Sequence, residues 1–326
     1  VEAAARAIRG AQRPVVLIGG QACLAAGMAQ AARLQALGVT VYSDTFIARR
    51  PRGAGAFAPK RMPYFGEQAL AELEGVDLMV YAGTAMPVAF FAYPSRPSVL
   101  VPDGCVTLTL AERSEDAVAG LAALADALGA PKEGPAQALI LPGAPSGALN
   151  PRTIGASIAR HMPDHAIVCD DAVTSGAGVA AATATARPHD VLALTGGAIG
   201  IGLPLAIGAA VAAPERKVLS LSGDGSAMYT VQALWTMARE NLDITVVVFA
   251  NYTYRILDIE MQRTGAGDAG PSAKTLLDLG DPKIDFVGLA RSMGLTAARC
   301  ETAEAFDTAF AGAMGQRGPM FIEAVI

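Results

Sequence analysis

Charge is scarce in this sequence: 17% of its 326 residues are Asp, Glu, Lys or Arg, against 52% hydrophobic residues, and the net charge is only -5. So apolar a chain folds around a core, which excludes intrinsic disorder. Lys and Arg are scattered, so there is no basic stripe for nucleic acid or for anionic lipid. Cysteine is equally sparse. Cys23, Cys105, Cys169 and Cys300 lie too far apart for a CxxC metal or redox pair and are too few for a disulfide framework. They read as small buried hydrophobes in a reducing, cytoplasmic compartment. An initiator Met and a signal peptide are also missing, for the chain opens on Val1 inside an Ala-rich helical run to Ile8. We therefore expect the later part of a longer protein. No internal repeat of fixed period is visible.

What is abundant is apolar sequence, and one stretch of it raises a membrane reading. Val191 to Ala213 runs for 23 residues without a charge, long enough to cross a bilayer. The run contains Gly196, Gly197, Gly200, Gly202 and Gly208 and Pro204, which make its first half a poor helix. A glycine loop feeding a buried helix over Leu205 to Ala213, with Pro204 in the first turn, explains it better.

The first part of the chain alternates strands and helices. Pro14 to Ile18, a helix over Ala22 to Leu37 and Val39 to Tyr42 form a βαβ unit; Asp77 to Tyr81 and Ser98 to Val101 are expected as further strands and Glu115 to Leu128 as a helix. Pro131, Pro135, Pro142 and Pro145 then mark a linker over 131–149. Asn150-Pro151 restarts helix at Arg152 to Arg160, Asn as cap and Pro in the first turn. Strands follow at Ala166 to Cys169, Lys217 to Leu221, Ile244 to Ala250 and Met320 to Val325, with helices near Met228 to Arg239 and Ala303 to Met314. The predicted class is α/β: two doubly wound parallel-sheet domains with helices on both faces, 1–130 and 150–326.

The chemistry concentrates after two buried strands. Gly223-Asp224-Gly225-Ser226 follows one, Asn251-Tyr252-Thr253-Tyr254 follows the next, and 25 residues separate Gly225 from Asn251. A βαβ crossover brings both clusters to the carboxyl edge of one sheet, where such folds bind ligands. A carboxylate beside a carboxamide suits Mg2+, which also takes phosphate oxygens. Gly225 allows close backbone approach, and the amides of Ser226 and Ala227 favour a phosphate group. A GDG by itself is a common tight turn; the ordered series strand, GDG, helix, strand, Asn is far more specific.

These residues resemble the fingerprint of the thiamine diphosphate enzymes of the acetolactate synthase, benzoylformate decarboxylase and pyruvate decarboxylase type. The run from Gly223 through Trp235 looks especially like the benzoylformate decarboxylase branch and its acetolactate synthase-like neighbours. The resemblance implies that Asp224, the Asn251 side chain and the Thr253 carbonyl bind the metal, with Gly223, Gly225, Ser226, Ala227 and Tyr254 around the cofactor. Where the family often has a second Asn, this chain has Tyr252. Asp170-Asp171-Ala-Val-Thr174-Ser175 resembles the segment whose hydroxyls reach the diphosphate; on the residues alone it is equally a helix cap. Gly196 to Pro204 resembles the loop that holds the pyrimidine. There the Gly197 carbonyl and Ile199 amide would bond the ring, and the Ile199 side chain would force the bent cofactor shape.

By the same resemblance 1–130 is the family's middle domain, which can carry FAD in acetolactate synthases, although Gly19-Gly20 lacks the GxGxxG pattern. Residues 150–326 are the diphosphate domain, and an N-terminal pyrimidine-binding domain with its Glu has no counterpart here. The implied function is Mg-dependent decarboxylation and carboligation of 2-oxo acids in a homodimer or homotetramer, with this chain carrying the anchor half of the site and inactive in isolation. A benzoylformate-type decarboxylase and a non-catalytic cofactor-binding protein are the alternatives. His161 and His165, separated by Pro163, read as surface loop rather than a metal pair, His189 as a turn residue, and Trp235 as core.

Overall fold

The computed structural model describes residues 1–93 and 96–326. It divides into two compact units, Val1–Pro51 with Gly55–Gln137, and Arg52–Ala54 with Ala138–Ile326. The division falls inside the proline-rich stretch, where residues 130–147 form neither helix nor strand.

In the first unit β1 (Pro14–Ile18), β2 (Thr40–Ser43), β3 (Lys60–Arg61), β4 (Leu78–Ala82) and β5 (Val106–Ala111) pair in parallel in the order β3-β2-β1-β4-β5. Helices α1 (Glu2–Gly10), α2 (Ala25–Ala36) and α4 (Ala117–Ala127) share one core with the sheet, through Ile8, Met28 and Leu121. Helix α3 (Gly66–Leu73) joins Val15, Leu17 and Met79 in another. The strand expected over Ser98 to Val101 is only an isolated bridge from Val99 to Val88, and the edge strand is β5 instead. Its residues alternate with exposed ones, Val106 among them, so no buried apolar run announces it.

The second unit carries the polar clusters. Its elements are α5 (Pro151–His161), β6 (Ala166–Asp171), α6 (Gly176–Ala182), β7 (His189–Ala193), α7 (Gly202–Ala212), β8 (Val218–Gly223), α8 (Asp224–Met228), α9 (Ala233–Arg239) and β9 (Ile244–Ala250). They continue with α10 (Arg255–Arg263), α11 (Pro271–Leu277), α12 (Phe286–Ser292), β10 (Thr296–Cys300), α13 (Ala303–Met314) and β11 (Met320–Val325). Six neighbouring strands of a seven-stranded sheet run β10-β11-β9-β8-β6-β7, with every one of these pairs parallel. Successive residues of β9 feed opposite cores: Val247 and Phe249 pack with Ile158 and Phe306 beneath α5 and α13, Val246 and Val248 with Leu203 and Met237 beneath α7 and α9. Burial on both faces explains why this strand is one unbroken apolar run.

Helix α5 starts as its sequence predicts. The Asn150 side chain accepts from the amides of Arg152 and Thr153, Thr153 returns the bond to the Asn150 amide, and Pro151 occupies the first turn. The uncharged run resolves into β7, a glycine loop and α7, which begins at Gly202, and among the described residues no helix is long and apolar enough to cross a membrane. The single helix expected over Met228 to Arg239 is two short ones, α8 and α9. Cys23, Cys169 and Cys300 are buried and Cys105 partly so.

Three expectations for single residues are overturned. Trp235 is not core: it is 53% exposed on α9, with the Arg239 guanidinium 5.2 Å from its ring centre. His189 is no turn residue but the buried first residue of β7. His161 belongs to the last turn of α5, 3.0 Å from Asp307, while His165 alone lies in the following loop.

Candidate functional site

Parallel pairing sets the candidate residues side by side before any side chain is considered. Ala193 lies opposite Asp170, Asp171 opposite Ser222, and Gly223 opposite Phe249. Four consecutive strands, β7-β6-β8-β9, therefore end together. The glycine loop, Thr174-Ser175, Asp224 and Asn251 all leave from this one carboxyl edge, and the order reverses between β6 and β8. Such a switch point opens a crevice because the two connections leave to opposite faces.

Asp224 is 3% exposed and opens α8. Its Oδ1 accepts from the Gly225 amide at 2.8 Å and its Oδ2 from the Tyr252 amide at 2.6 Å, so one side chain ties the loop after β8 to the loop after β9. Burial pushes its carboxyl above the ordinary value while the Gly225 and Tyr252 amides pull it back. Asn251 turns its Oδ1 to the Thr253 amide at 3.0 Å, and Tyr252 between them is left-handed at φ 52°. The Tyr254 ring lies on Gly225, where a Cβ would come within 2.4 Å of Cε1, so a glycine is required there. Ser226 and Ala227 are buried in α8.

The loop after β6 places Ser175 with 5% exposure and Thr174 half-buried beside it, following Val173 at φ 47°. Ser175 precedes α6 but makes no side-chain cap bond, which leaves its hydroxyl for another partner. The glycine loop is clasped from below by Asp171, a role the sequence did not reveal. This wholly buried carboxylate accepts from the amides of Gly200 and Gly202 at 2.9 and 3.1 Å. Thr230 adds a bond from its hydroxyl to the Gly200 carbonyl at 2.7 Å. Burial raises the Asp171 carboxyl to about 6 against those two amides. Above the clasp the loop is exposed at Gly197 and half-buried at Ile199, and the Ile199 amide donates to the Gly197 carbonyl at 3.1 Å. The two groups expected to hold a pyrimidine are thus bonded to each other; the carbonyl keeps a second lone pair for a ring, whereas the single amide hydrogen must leave this bond to reach one.

The donor set fits a hard divalent cation with a diphosphate. Asp224 and Asn251 each retain oxygen lone pairs beyond the amide bonds named above, and one carboxylate with neutral oxygens is what Mg2+ takes when phosphates complete its shell. Among the described residues there is no cluster of three or more His, Cys, Asp or Glu able to hold a metal alone. A cavity of about 690 Å³ opens at the opposite edge of the sheet, lined by Asp164, His165, Asp190, Lys217, Asp243 and Arg317. Two of its ion pairs are Lys217 with Asp243 at 2.7 Å and Arg216 with Asp190 at 2.8 Å.

In the first unit the corresponding edge between β1 and β4 is filled by the chain itself. A Cβ on Gly83 would lie 2.6 Å from the Gly19 carbonyl, and Asp44 is held by the Thr84 hydroxyl at 2.8 Å.

Comparison with known proteins finds relatives of one kind. Residues 171–324 match the family described as thiamine pyrophosphate enzyme, C-terminal TPP binding domain. The protein named "Putative acetolactate synthase large subunit IlvX" from Mycobacterium tuberculosis is 47% identical over 98% of this chain and 62% of its own length. Benzoylformate decarboxylase from Pseudomonas aeruginosa is 30% identical over 54% of this chain and 32% of its own. Among solved structures, the thiamine diphosphate-dependent 4-hydroxybenzoylformate decarboxylase of Rhodococcus jostii RHA1 superposes with a TM-score of 0.79 at 25% identity, over 99% of this chain and 63% of that one. The chain thus spans less than two thirds of the length of these relatives.

Proposed function

The chain is a relative of the thiamine pyrophosphate enzymes, matching their C-terminal TPP-binding domain over residues 171–324, and from that premise we propose that it holds Mg2+ and the diphosphate of thiamine diphosphate in an acetolactate synthase-like enzyme acting on 2-oxo acids. The observation that carries this reading is the Asp224 carboxylate bonded to the Tyr252 amide, which joins the GDG loop and the Asn251 loop into one oxygen-lined corner. In this reading 150–326 is the diphosphate domain and 1–130 the middle domain of the family.

Asp224, the Asn251 side chain and the Thr253 carbonyl hold the metal. Gly223, Gly225 and the amides of Ser226 and Ala227 line the diphosphate, with Thr174 and Ser175 donating hydroxyls from the neighbouring strand end and Tyr254 closing the corner. Ile199 would stand against the cofactor from the glycine loop, whose base Asp171 holds through the Gly200 and Gly202 amides. When bound, thiamine diphosphate supplies a nucleophilic carbon and an electron sink for loss of CO2 from a 2-oxo acid. Assembly into a homodimer or homotetramer belongs to the same reading.

Thermal unfolding with and without Mg2+ plus thiamine diphosphate tests the cofactor reading. The pair should raise the midpoint, by roughly 2.7 kcal/mol of stabilisation at a hundredfold excess over Kd, and Asp224→Ala should abolish the rise. An unchanged rise in that variant overturns the assignment. Assays with pyruvate and benzoylformate, run with and without the family's pyrimidine-binding domain supplied, then separate carboligase, decarboxylase and a binding protein without turnover; the Pseudomonas benzoylformate decarboxylase is the specific reason to include benzoylformate.

A further inference from the structure

Glu323 is a carboxylate with no exposed surface, in the middle of β11, between Val248 of β9 and Arg299 of β10. Such a group is costly to bury, and the Arg299 guanidinium remains 3.8 Å from its Oε2, which has no hydrogen-bond partner among the described residues. Its Oε1 accepts from the Tyr252 hydroxyl at 2.6 Å. Tyr252 stands where the chain turns left-handed, a conformation bulky side chains rarely adopt. Every polar group of that residue is engaged. Its amide donates to Asp224 Oδ2 at 2.6 Å, its carbonyl accepts from the Leu279 amide at 2.8 Å, and Lys283 Nζ lies 4.3 Å from the ring centre.

Neighbouring bonds extend the attachment. Thr253 Oγ1 and the Tyr254 amide both reach the Leu277 carbonyl, at 3.2 and 3.0 Å, so 252–254 and 277–279 close a short neck at the base of the excursion through α10 and α11. Helix α10 is half-buried and contains no fully buried residue.

We propose that Tyr252 and Glu323 are a positioning pair for the metal corner. The bond from the phenol to the buried carboxylate holds residue 252 left-handed, and that turn aims its amide at Asp224 and sets the Asn251 side chain and the Thr253 carbonyl beside it. Neither residue touches the ion; both act through the backbone between its ligands. The inference rests on the metal and diphosphate reading above.

The test measures uptake of Mn2+, in place of Mg2+, with thiamine diphosphate by the purified protein, following free Mn2+ by electron paramagnetic resonance. Tyr252→Phe, which keeps the ring and loses the hydroxyl, should weaken uptake about tenfold, the lower end of what orienting partners of metal ligands contribute. Glu323→Gln retains an acceptor for the phenol and should bind close to wild type, whereas Glu323→Leu should resemble Tyr252→Phe. Phe310→Leu in α13 serves as a stability control: it should lower the unfolding temperature and leave uptake unchanged. Wild-type affinity in both Tyr252→Phe and Glu323→Leu overturns the inference, as does equal weakening in Phe310→Leu. If wild type binds and Asp224→Ala does not, those outcomes sink this inference alone. If wild type takes up no Mn2+, or Asp224→Ala takes up as much, the metal reading fails and this falls with it.

Discussion

Asp171 has no exposed surface, and its carboxyl is raised to about 6 by burial, so the folded chain holds its proton more tightly than the unfolded chain does. Stability from this residue is therefore complete below an unfolded value of 3.8, falls as pH climbs towards about 6, and stays low above that. The ionised form costs up to about 3 kcal/mol at neutral pH. Asp171→Asn removes the proton but keeps an acceptor for Gly200 and Gly202. The gap in urea-unfolding free energy between wild type and this variant should change steadily across pH 4 to 6, in the direction of relative wild-type loss at higher pH; a constant gap contradicts the burial argument. Nothing in the sequence pointed to this clasp. Its partners stand 29 and 31 residues further on, and only the parallel pairing of β6 with β8 and β7 brings them within reach.

Helices show the same division between local and tertiary causes. Gly155 sits inside α5 and Gly208 inside α7, and by propensity alone each weakens its helix by about 1 kcal/mol relative to Ala. Tertiary packing separates them. A Cβ on Gly155 would lie 2.8 Å from the Ala182 Cβ and 2.9 Å from the Val179 Cα of α6, while nothing stands within 4 Å at Gly208. Gly208→Ala is expected to stabilise by about 1 kcal/mol, and Gly155→Ala to destabilise by about 1 to 3 kcal/mol. Chemical denaturation of the two variants checks both, and the same sign in both would refute the packing account. Start and stop signals were legible where they are local, as with Asn150 and Pro151, and illegible where a contact decides. Trp235 illustrates the failure: its helix is short, and its apolar neighbours Ala233, Leu234 and Met237 take the places in the core.

Across the whole molecule, each unit closes its own cores, with Ile8, Val80 and Leu121 in one and Val168, Phe249 and Phe310 in the other. A ligand gripped only by residues of the second unit stabilises that unit by mass action. Calorimetry with Mg2+ and thiamine diphosphate should therefore move one unfolding transition upward and leave the other in place; equal movement of both would contradict binding confined to residues 171–324. The sequence by itself determined the α/β alternation, the centres of the buried apolar strands and the residue types at the proposed metal corner, because strand burial, helix caps and hard-oxygen chemistry are written in short segments. Strand order, the Asp171 clasp, the Gly197–Ile199 bond and the Tyr252–Glu323 pair were decided only by the tertiary structure, because each depends on which distant strand ends become neighbours, and that is settled by packing both faces of the sheet at once.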